Sequence, residues 1–156
     1  MRILALDVGE RRIGLAVCDV SGLIATPFST IRRASKAEDF ARIAKVVREQ
    51  SVGRLLVGHP LNADDSSGPQ ARRIERYAAA LAEALRQAGL DLPLTLWDEH
   101  LSTRCAQEAM LAAGRKAKAR RARIDAVAAA VILQEYLNAQ RFALPNSVEE
   151  AIAWVP

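Results

Sequence analysis

The sequence contains few of the residues that characterise several protein classes. It has only two cysteines, Cys18 and Cys105, without CxxC or Cys/His spacing, which argues against a disulfide framework and a zinc site. No apolar run approaches the roughly 20 residues that cross a bilayer, and the charged start MRILALDVGE does not resemble a signal peptide. We therefore expect a cytoplasmic protein that does not bind membranes.

Aromatic residues are also scarce, at 4% of the sequence, which argues against stacking platforms for single-stranded bases. Hydrophobic residues make up 51% and charged residues 26%, the balance of a globular protein with a sizeable core. The length of 156 residues fits a single domain. We expect the domain to cover residues 1–139, with a C-terminal extension at 140–156 packed on it.

Positive charge is modest overall but locally concentrated. The net charge of +4 alone favours a polyanionic partner only weakly. Within nine residues, however, the chain carries six basic side chains that together can attract phosphates: Arg115, Lys116, Lys118, Arg120, Arg121 and Arg123. The alternative is a solvated surface segment without a ligand.

The hydrophobic pattern predicts an α/β layer fold. Apolar runs and alternation indicate three strands, at 3–6, 13–18 and 28–32, which form a β-meander. Helical spacing then alternates with two further strands: helix 36–50, strand 54–58, helix 69–88, strand 94–97, helix 103–113, a buried helix 124–137 and a short amphipathic piece within 140–156. This order matches an RNase H-like arrangement, with a mixed five-stranded sheet covered by helices on both faces.

Four acidic residues lie where a predicted buried element begins or ends: Asp7, Asp98, Glu99 and Asp125. Carboxylates suit hard divalent cations such as Mg²⁺, and two ions can activate a water while stabilising the leaving oxygen of a phosphodiester. Taken singly, each residue could instead be a turn or cap residue. Spacing alone does not choose between Asp98 and Glu99, which point to opposite faces if the strand continues through them.

Asp7 is the hardest of these to explain as a turn residue. It follows four apolar strand residues, so its carboxylate loses solvation unless a cation meets it. A metal ion would serve, and Arg11 or Arg12 could also pair with it.

Four motifs together resemble the YqgF family. DVGERRIGLAVCD, VGHPLNADDSSGPQA, LWDEHLST and RRARIDAVAAAVILQEYL occur in the order and spacing of that family, across residues 2–139. The resemblance implies an RNase H-like fold, as in Holliday junction resolvases of the RuvC type. It also implies a nuclease that matures the 5′ end of pre-16S ribosomal RNA.

Position by position, the resemblance implies that Asp7, Glu99 and Asp125 are the catalytic metal ligands for two Mg²⁺ or Mn²⁺ ions, with Asp98 as an auxiliary ligand. The predicted nucleic-acid contacts come from the polar stretch 62–70 of the second motif, which we call the signature loop, from the turn before the second strand, and from the basic segment 115–123. They are Arg11, Arg12, Asn62, Ser67, Gln70, Lys118, Arg120, Arg121 and Arg123. His100 stands where arginine is commoner in the family, and His59 where an apolar residue is frequent. We expect both histidines to be structural or close to substrate.

Other functions fit parts of the sequence. A resolvase-like enzyme would cut branched DNA as a dimer. A non-catalytic ribosome-assembly factor would use only the basic segment. The motif DVGERRIGLAVCD also resembles the phosphate-binding turn of actin-like ATP-binding proteins, which need two such domains. The leading expectation is a nuclease acting on structured RNA, as a monomer or weak homodimer.

Overall fold

The computed structural model describes residues 1–61, 64 and 66–98, and the helix backbone from 117 to 154 with side chains at 123–142. Within these ranges the element order is five strands and three helices. They are β1 (Arg2–Val8), β2 (Arg12–Cys18), β3 (Ala25–Arg32), α1 (Lys36–Glu49), β4 (Val52–His59), α2 (Pro69–Gln87), β5 (Leu94–Asp98) and α3 (Ala117–Trp154). No helix in the described part is long and apolar enough to cross a membrane.

The strands form one mixed sheet in the order β3-β2-β1-β4-β5. The first three strands pair antiparallel, as the predicted meander requires, and β1, β4 and β5 run parallel. The predicted mixed five-stranded sheet is therefore confirmed. Because parallel strands end at one edge of a sheet, the last residues of β1, β4 and β5 lie side by side.

Two hydrophobic clusters cover the two faces of the sheet. On one face, Leu4 and Leu6 of β1 pack with the apolar sides of α1 and α2. On the other face, Ile3 and Ala5 pack with the small and branched residues of α3. Successive strand residues point to opposite faces, which is why β1 is apolar without interruption.

The ends of α1 and α2 follow local signals in the sequence. Ser35 caps α1, and its hydroxyl accepts a hydrogen bond from Glu38 N at 3.2 Å. Pro69 occupies the first turn of α2, and Gly89 follows its end with φ of +84°. Both helices were predicted within two residues of these bounds.

The last helix differs from the expectation. The sequence predicted a helix at 124–137 and a separate short piece beyond 140, whereas α3 is continuous from Ala117 to Trp154. The basic segment thus enters the helix, although its charged residues show no apolar period. The predicted helix at 103–113 lies outside the described residues, and a distinct extension at 140–156 stays a prediction.

Candidate nuclease site

Asp7 lies near the carboxyl end of β1, at the edge where the parallel strands end. The register pairs Leu6 of β1 with Val57 of β4, and Val57 with Leu96 of β5. Asp7 therefore comes one residue after the last pair between β1 and β4. By strand alternation it shares the face of Ile3 and Ala5, which is the face covered by α3.

Asp125 reaches the same place from α3. In the antiparallel pair, Asp7 is opposite Gly14 of β2. The backbone of α3 lies directly on this glycine: a Cβ added to Gly14 would overlap the carbonyl group of Asp125 and stand 2.9 Å from Ala126 N. Because only a residue without a side chain permits this approach, Gly14 brings Asp125 beside the strand position of Asp7.

Arg12 also belongs to this group, at the start of β2. Its Nε lies 2.6 Å from Asp125 Oδ2, and the two side chains are 36% and 21% exposed. The contact is a charge-assisted hydrogen bond that solvent can still reach. Of the two arginines proposed as partners of Asp7, Arg12 is thus the one that pairs with the neighbouring carboxylate.

Asp98 ends β5 on the other face of the sheet. Trp97 packs with the α3 cluster and contacts Tyr136 edge-on, with ring centroids 5.3 Å apart. Since the strand alternates, Asp98 points to the face covered by α1 and α2, away from the face of Asp7. Glu99 and His100 lie outside the described residues. Among the residues that are described, no three acidic, His or Cys side chains form a metal-holding group.

The signature loop ends in a hydrogen-bonded cluster that the sequence did not predict. Glu75 of α2 accepts a hydrogen bond from the Ser67 hydroxyl at 2.8 Å, and His59 Nε2 lies 2.9 Å from the same Oε1. The hydrogen bond from the Ser67 hydroxyl, and to a smaller extent the one with His59, holds the pKa of Glu75 below its usual value of 4.5. His59 thus has a structural partner, and the Ser67 hydroxyl is engaged by Glu75.

The N-terminus of α2 lies at the end of the signature loop. Gly68 is its N-cap and offers no side-chain hydrogen bond, and the first turn contains no acidic residue. Three exposed arginines that were not among the predicted nucleic-acid contacts follow in the first two turns: Arg72, Arg73 and Arg76. Their position in the sequence, directly after the signature loop, could have indicated them as further candidate contacts. Gln70 lies in the same first turn and is exposed.

The other predicted nucleic-acid contacts are only partly described. Arg11 is exposed in the turn between β1 and β2, and Arg123 is exposed on α3. Lys118, Arg120 and Arg121 belong to the first two turns of α3 by backbone, while their side chains lie outside the described ones, as does Asn62.

Known proteins resemble this chain over most of its length. The RuvX family, described as Holliday junction resolvase, matches residues 1–139. A relative from Thermoanaerobacter pseudethanolicus is 41% identical over 142 residues, covering 90% of this chain and 99% of its own, and is named "Putative pre-16S rRNA nuclease". A relative of the same name from Synechococcus sp. (strain JA-3-3Ab) is 45% identical over 139 residues, covering 89% of this chain and 84% of its own.

Solved structures resemble the fold as well. RuvC of T. thermophilus, solved with a Holliday junction substrate, has a TM-score of 0.57 at 17% identity, covering 90% of this chain and 96% of that chain. At this identity the likeness supports the RNase H-like fold alone. The sequence matches carry the family assignment, and by them this chain belongs to the RuvX family, also called YqgF.

Proposed function

We propose that this chain is a metal-dependent nuclease that cuts phosphodiester bonds in structured RNA, with the 5′ end of pre-16S rRNA as its substrate. The observation that carries the proposal is that Gly14, the strand partner of Asp7, lies against the backbone of Asp125 at the carboxyl edge of the parallel strands. Ligand sites in open α/β sheets lie at this edge. The names of the relatives supply the substrate class.

The third carboxylate of the proposed site is Glu99. Asp98 points to the face opposite Asp7, so a strand continued by one residue would turn Glu99 toward Asp7. The alternation therefore supports Glu99 over Asp98 as the acidic residue that acts with Asp7. Asp98 would then be an auxiliary group at the sheet edge.

The donor set fits Mg²⁺ or Mn²⁺, with two ions proposed. Asp7 and Asp125 offer carboxylate oxygens, which are the ligands that these hard cations prefer. When bound, such cations lower the pKa of water and neutralise charge at the scissile phosphate. Asp7, Asp125 and Glu99 would hold them, and Gly14 keeps the helix close enough for this.

Substrate binding is proposed to rest on arginines around this edge. Arg11 lies in the turn between β1 and β2 and Arg12 begins β2, Arg123 comes two residues before Asp125, and the arginines of α2 follow the signature loop. Arginine forks bind phosphate in two-point geometry, and backbone contacts suit double-helical RNA, whose bases are poorly accessible. This arrangement supports recognition by shape.

The test compares wild type with Asp7→Asn and a matched control, Asp91→Asn, which changes an exposed aspartate in the connection between α2 and β5. Each protein is incubated with a precursor of 16S rRNA in Mg²⁺, in Mn²⁺ and in chelator. We expect cleavage by wild type and Asp91→Asn with metal, and none by Asp7→Asn or in chelator. Equal cleavage by Asp7→Asn would contradict the proposed site.

A resolvase-like activity on branched DNA is the second candidate, because the family description and the RuvC fold both favour it. The same proteins are therefore assayed on a four-way DNA junction. Symmetric cutting by a dimer would favour the DNA substrate over RNA. Cleavage of neither substrate, with tight RNA binding retained, would favour the assembly-factor function. A cytoplasmic location and a monomer or weak homodimer remain part of the proposal.

A further inference from the structure

Arg33, directly after β3, contacts the turn between β1 and β2. Its Nη1 donates a hydrogen bond to the Gly9 carbonyl oxygen at 2.8 Å. Its backbone N donates to the Arg11 carbonyl oxygen at 2.9 Å. One residue therefore binds this turn at two carbonyl groups, one through its side chain and one through its backbone.

The guanidinium of Arg33 is itself held by two residues from the helices. Its Nε lies 3.7 Å from Asp39 Oδ2, and its Cζ lies 5.0 Å from the centroid of the Tyr77 ring. The ring face attracts the cation, and Phe40 packs edge-on against the same ring at 5.2 Å. The planar guanidinium presents its donors in fixed directions and its flat face to the ring, a geometry that a compact ammonium group on a flexible stem does not reproduce.

Asp39 restricts the Arg33 side chain to one position. It is fully buried, and it is the only charged or polar residue with this status among those the structure describes. Its Oδ1 accepts a hydrogen bond from Ala34 N at 3.0 Å, while Oδ2 has no hydrogen-bond partner in the described part. Burying a carboxylate costs free energy unless a cation lies near it. Asp39 therefore stabilises the Arg33 guanidinium in its observed position.

The turn that Arg33 binds connects two residues of the proposed site. Gly9 comes two residues after Asp7, and its N donates to the Arg12 carbonyl oxygen at 2.8 Å. A Cβ at Gly9 would lie 2.9 Å from that oxygen, so the turn is tight. Any shift of the Gly9 carbonyl would move the strand ends that carry Asp7 and Arg12.

We infer that Arg33 is a positioning residue: with Asp39 and Tyr77 behind it, it fixes the turn at residues 9–11 and so the relative placement of Asp7 and Arg12. It acts from the side of α1 and α2, opposite the α3 face of the carboxylates. The inference rests on the proposed function for its catalytic consequence. Its structural consequence, a rigid turn, does not depend on that function.

The first experiment measures amide hydrogen exchange in the full-length protein. Arg33→Met is compared with Arg42→Met, a matched control whose guanidinium also donates to a nearby carbonyl, that of Arg32 at 3.3 Å. We expect the amides of Gly9 and of residue 33, which donate to the carbonyl oxygens of Arg12 and Arg11, to exchange at least about tenfold faster in Arg33→Met and at the wild-type rate in Arg42→Met. This readout requires no substrate, so it separates failure of the inference from failure of the proposed nuclease function.

The second experiment measures kcat and KM separately. For Arg33→Met on the cleaved substrate, kcat should fall by about tenfold or more while KM changes by less than about threefold, because misplaced groups slow the chemical step. Arg33→Lys keeps the charge beside Asp39 without the fork, and should restore stability more than kcat. Asp39→Asn keeps an acceptor for Ala34 N and removes the charge, so it should loosen the same turn.

The outcomes are decisive in either direction. Faster exchange confined to the turn supports the inference, even if no cleavage of RNA or DNA is detected with wild type. Exchange at Gly9 and at residue 33 that stays at the wild-type rate in a folded Arg33→Met overturns it. If Arg33→Met does not fold, Arg33→Lys and Asp39→Asn are judged by the same exchange measurement and the same criterion.

Discussion

Arg12 Nε lies 2.6 Å from Asp125 Oδ2, although the two residues are 113 positions apart in the chain. This pair joins a residue proposed to bind phosphate to one proposed to bind metal. The guanidinium occupies an oxygen that a divalent cation would also use. Arg12 and the cation should therefore compete for Asp125.

Replacing Arg12 by methionine should strengthen metal binding and weaken substrate binding. A partly exposed ion pair contributes about 1 kcal/mol, so Mn²⁺ affinity measured by calorimetry should rise roughly fivefold. RNA affinity should fall, because a phosphate contact is lost. Arg11→Met, in the exposed turn that precedes Arg12, should lower RNA affinity while leaving Mn²⁺ affinity as it was. Equal Mn²⁺ affinity in wild type and Arg12→Met would show that the pair does not limit metal binding.

Gly14→Ala should damage both the fold and the site. The added Cβ would overlap the carbonyl group of Asp125, so α3 must move away from β2. Overpacking of this kind costs roughly 2 kcal/mol or more in the free energy of unfolding, measured by urea denaturation. Mn²⁺ affinity should also fall, because Asp125 moves with the helix.

Gly53→Ala is the matched control for this change. Its Cβ would meet Met1 Cγ at 2.6 Å, the end of an exposed and adjustable side chain. It should therefore cost much less than Gly14→Ala. Similar losses of stability in the two variants would mean that close approach of α3 is not what requires Gly14.

The Glu75 cluster should make part of the stability depend on acid pH. The Ser67 hydroxyl and His59 lower the pKa of Glu75 from 4.5, so their contribution to stability is present above that value. It is lost as the pH falls through the lowered pKa of the folded protein. The free energies of unfolding of wild type and Glu75→Gln, measured from about pH 3 to pH 7, should differ near pH 7 and converge near pH 3. A difference that stays constant over this range would contradict the cluster's role.

Tyr77 should impose the opposite dependence at alkaline pH. Burial, aided by the charge of Asp39, raises its pKa to about 12 from the usual 10.0. The neutral side chain therefore supports the fold below pH 10, and this support is lost as the pH rises toward 12. The loss amounts to roughly 2 to 3 kcal/mol in the free energy of unfolding. Tyr77→Phe should flatten the decline in this range, and Asp39→Asn should move the tyrosinate absorbance step to lower pH.

Much of the fold could be predicted because its signals are local. The apolar run at Ile3 to Leu6, the Ser35 cap and the proline at position 69 each act within a few residues, and the structure has a strand or helix at each. The length of α3 was missed because the basic residues at its start lack an apolar period. Helix propagation from the buried part of α3 requires no such period.

The candidate site could be predicted only in part, because local signals identify single residues and not the contacts between distant ones. Asp7 and Asp125 were identified because they adjoin buried elements, which the sequence shows directly. The contacts of Arg33 with Gly9, Asp39 and Tyr77 were not predicted, because each contact joins residues from different elements. The role of Glu75 on α2 was missed likewise, since its partner His59 belongs to a different element, the strand β4.

By itself the sequence determined the order of strands and helices, the family, and a carboxylate at the end of a buried strand, since these follow from periodicity and motif. Only the tertiary structure decided which groups meet. Strand alternation turned Asp98 away from Asp7, and the missing side chain of Gly14 admitted α3 and with it Asp125. The physical reason is that packing brings together residues from distant segments, and local propensities carry no information about such distances.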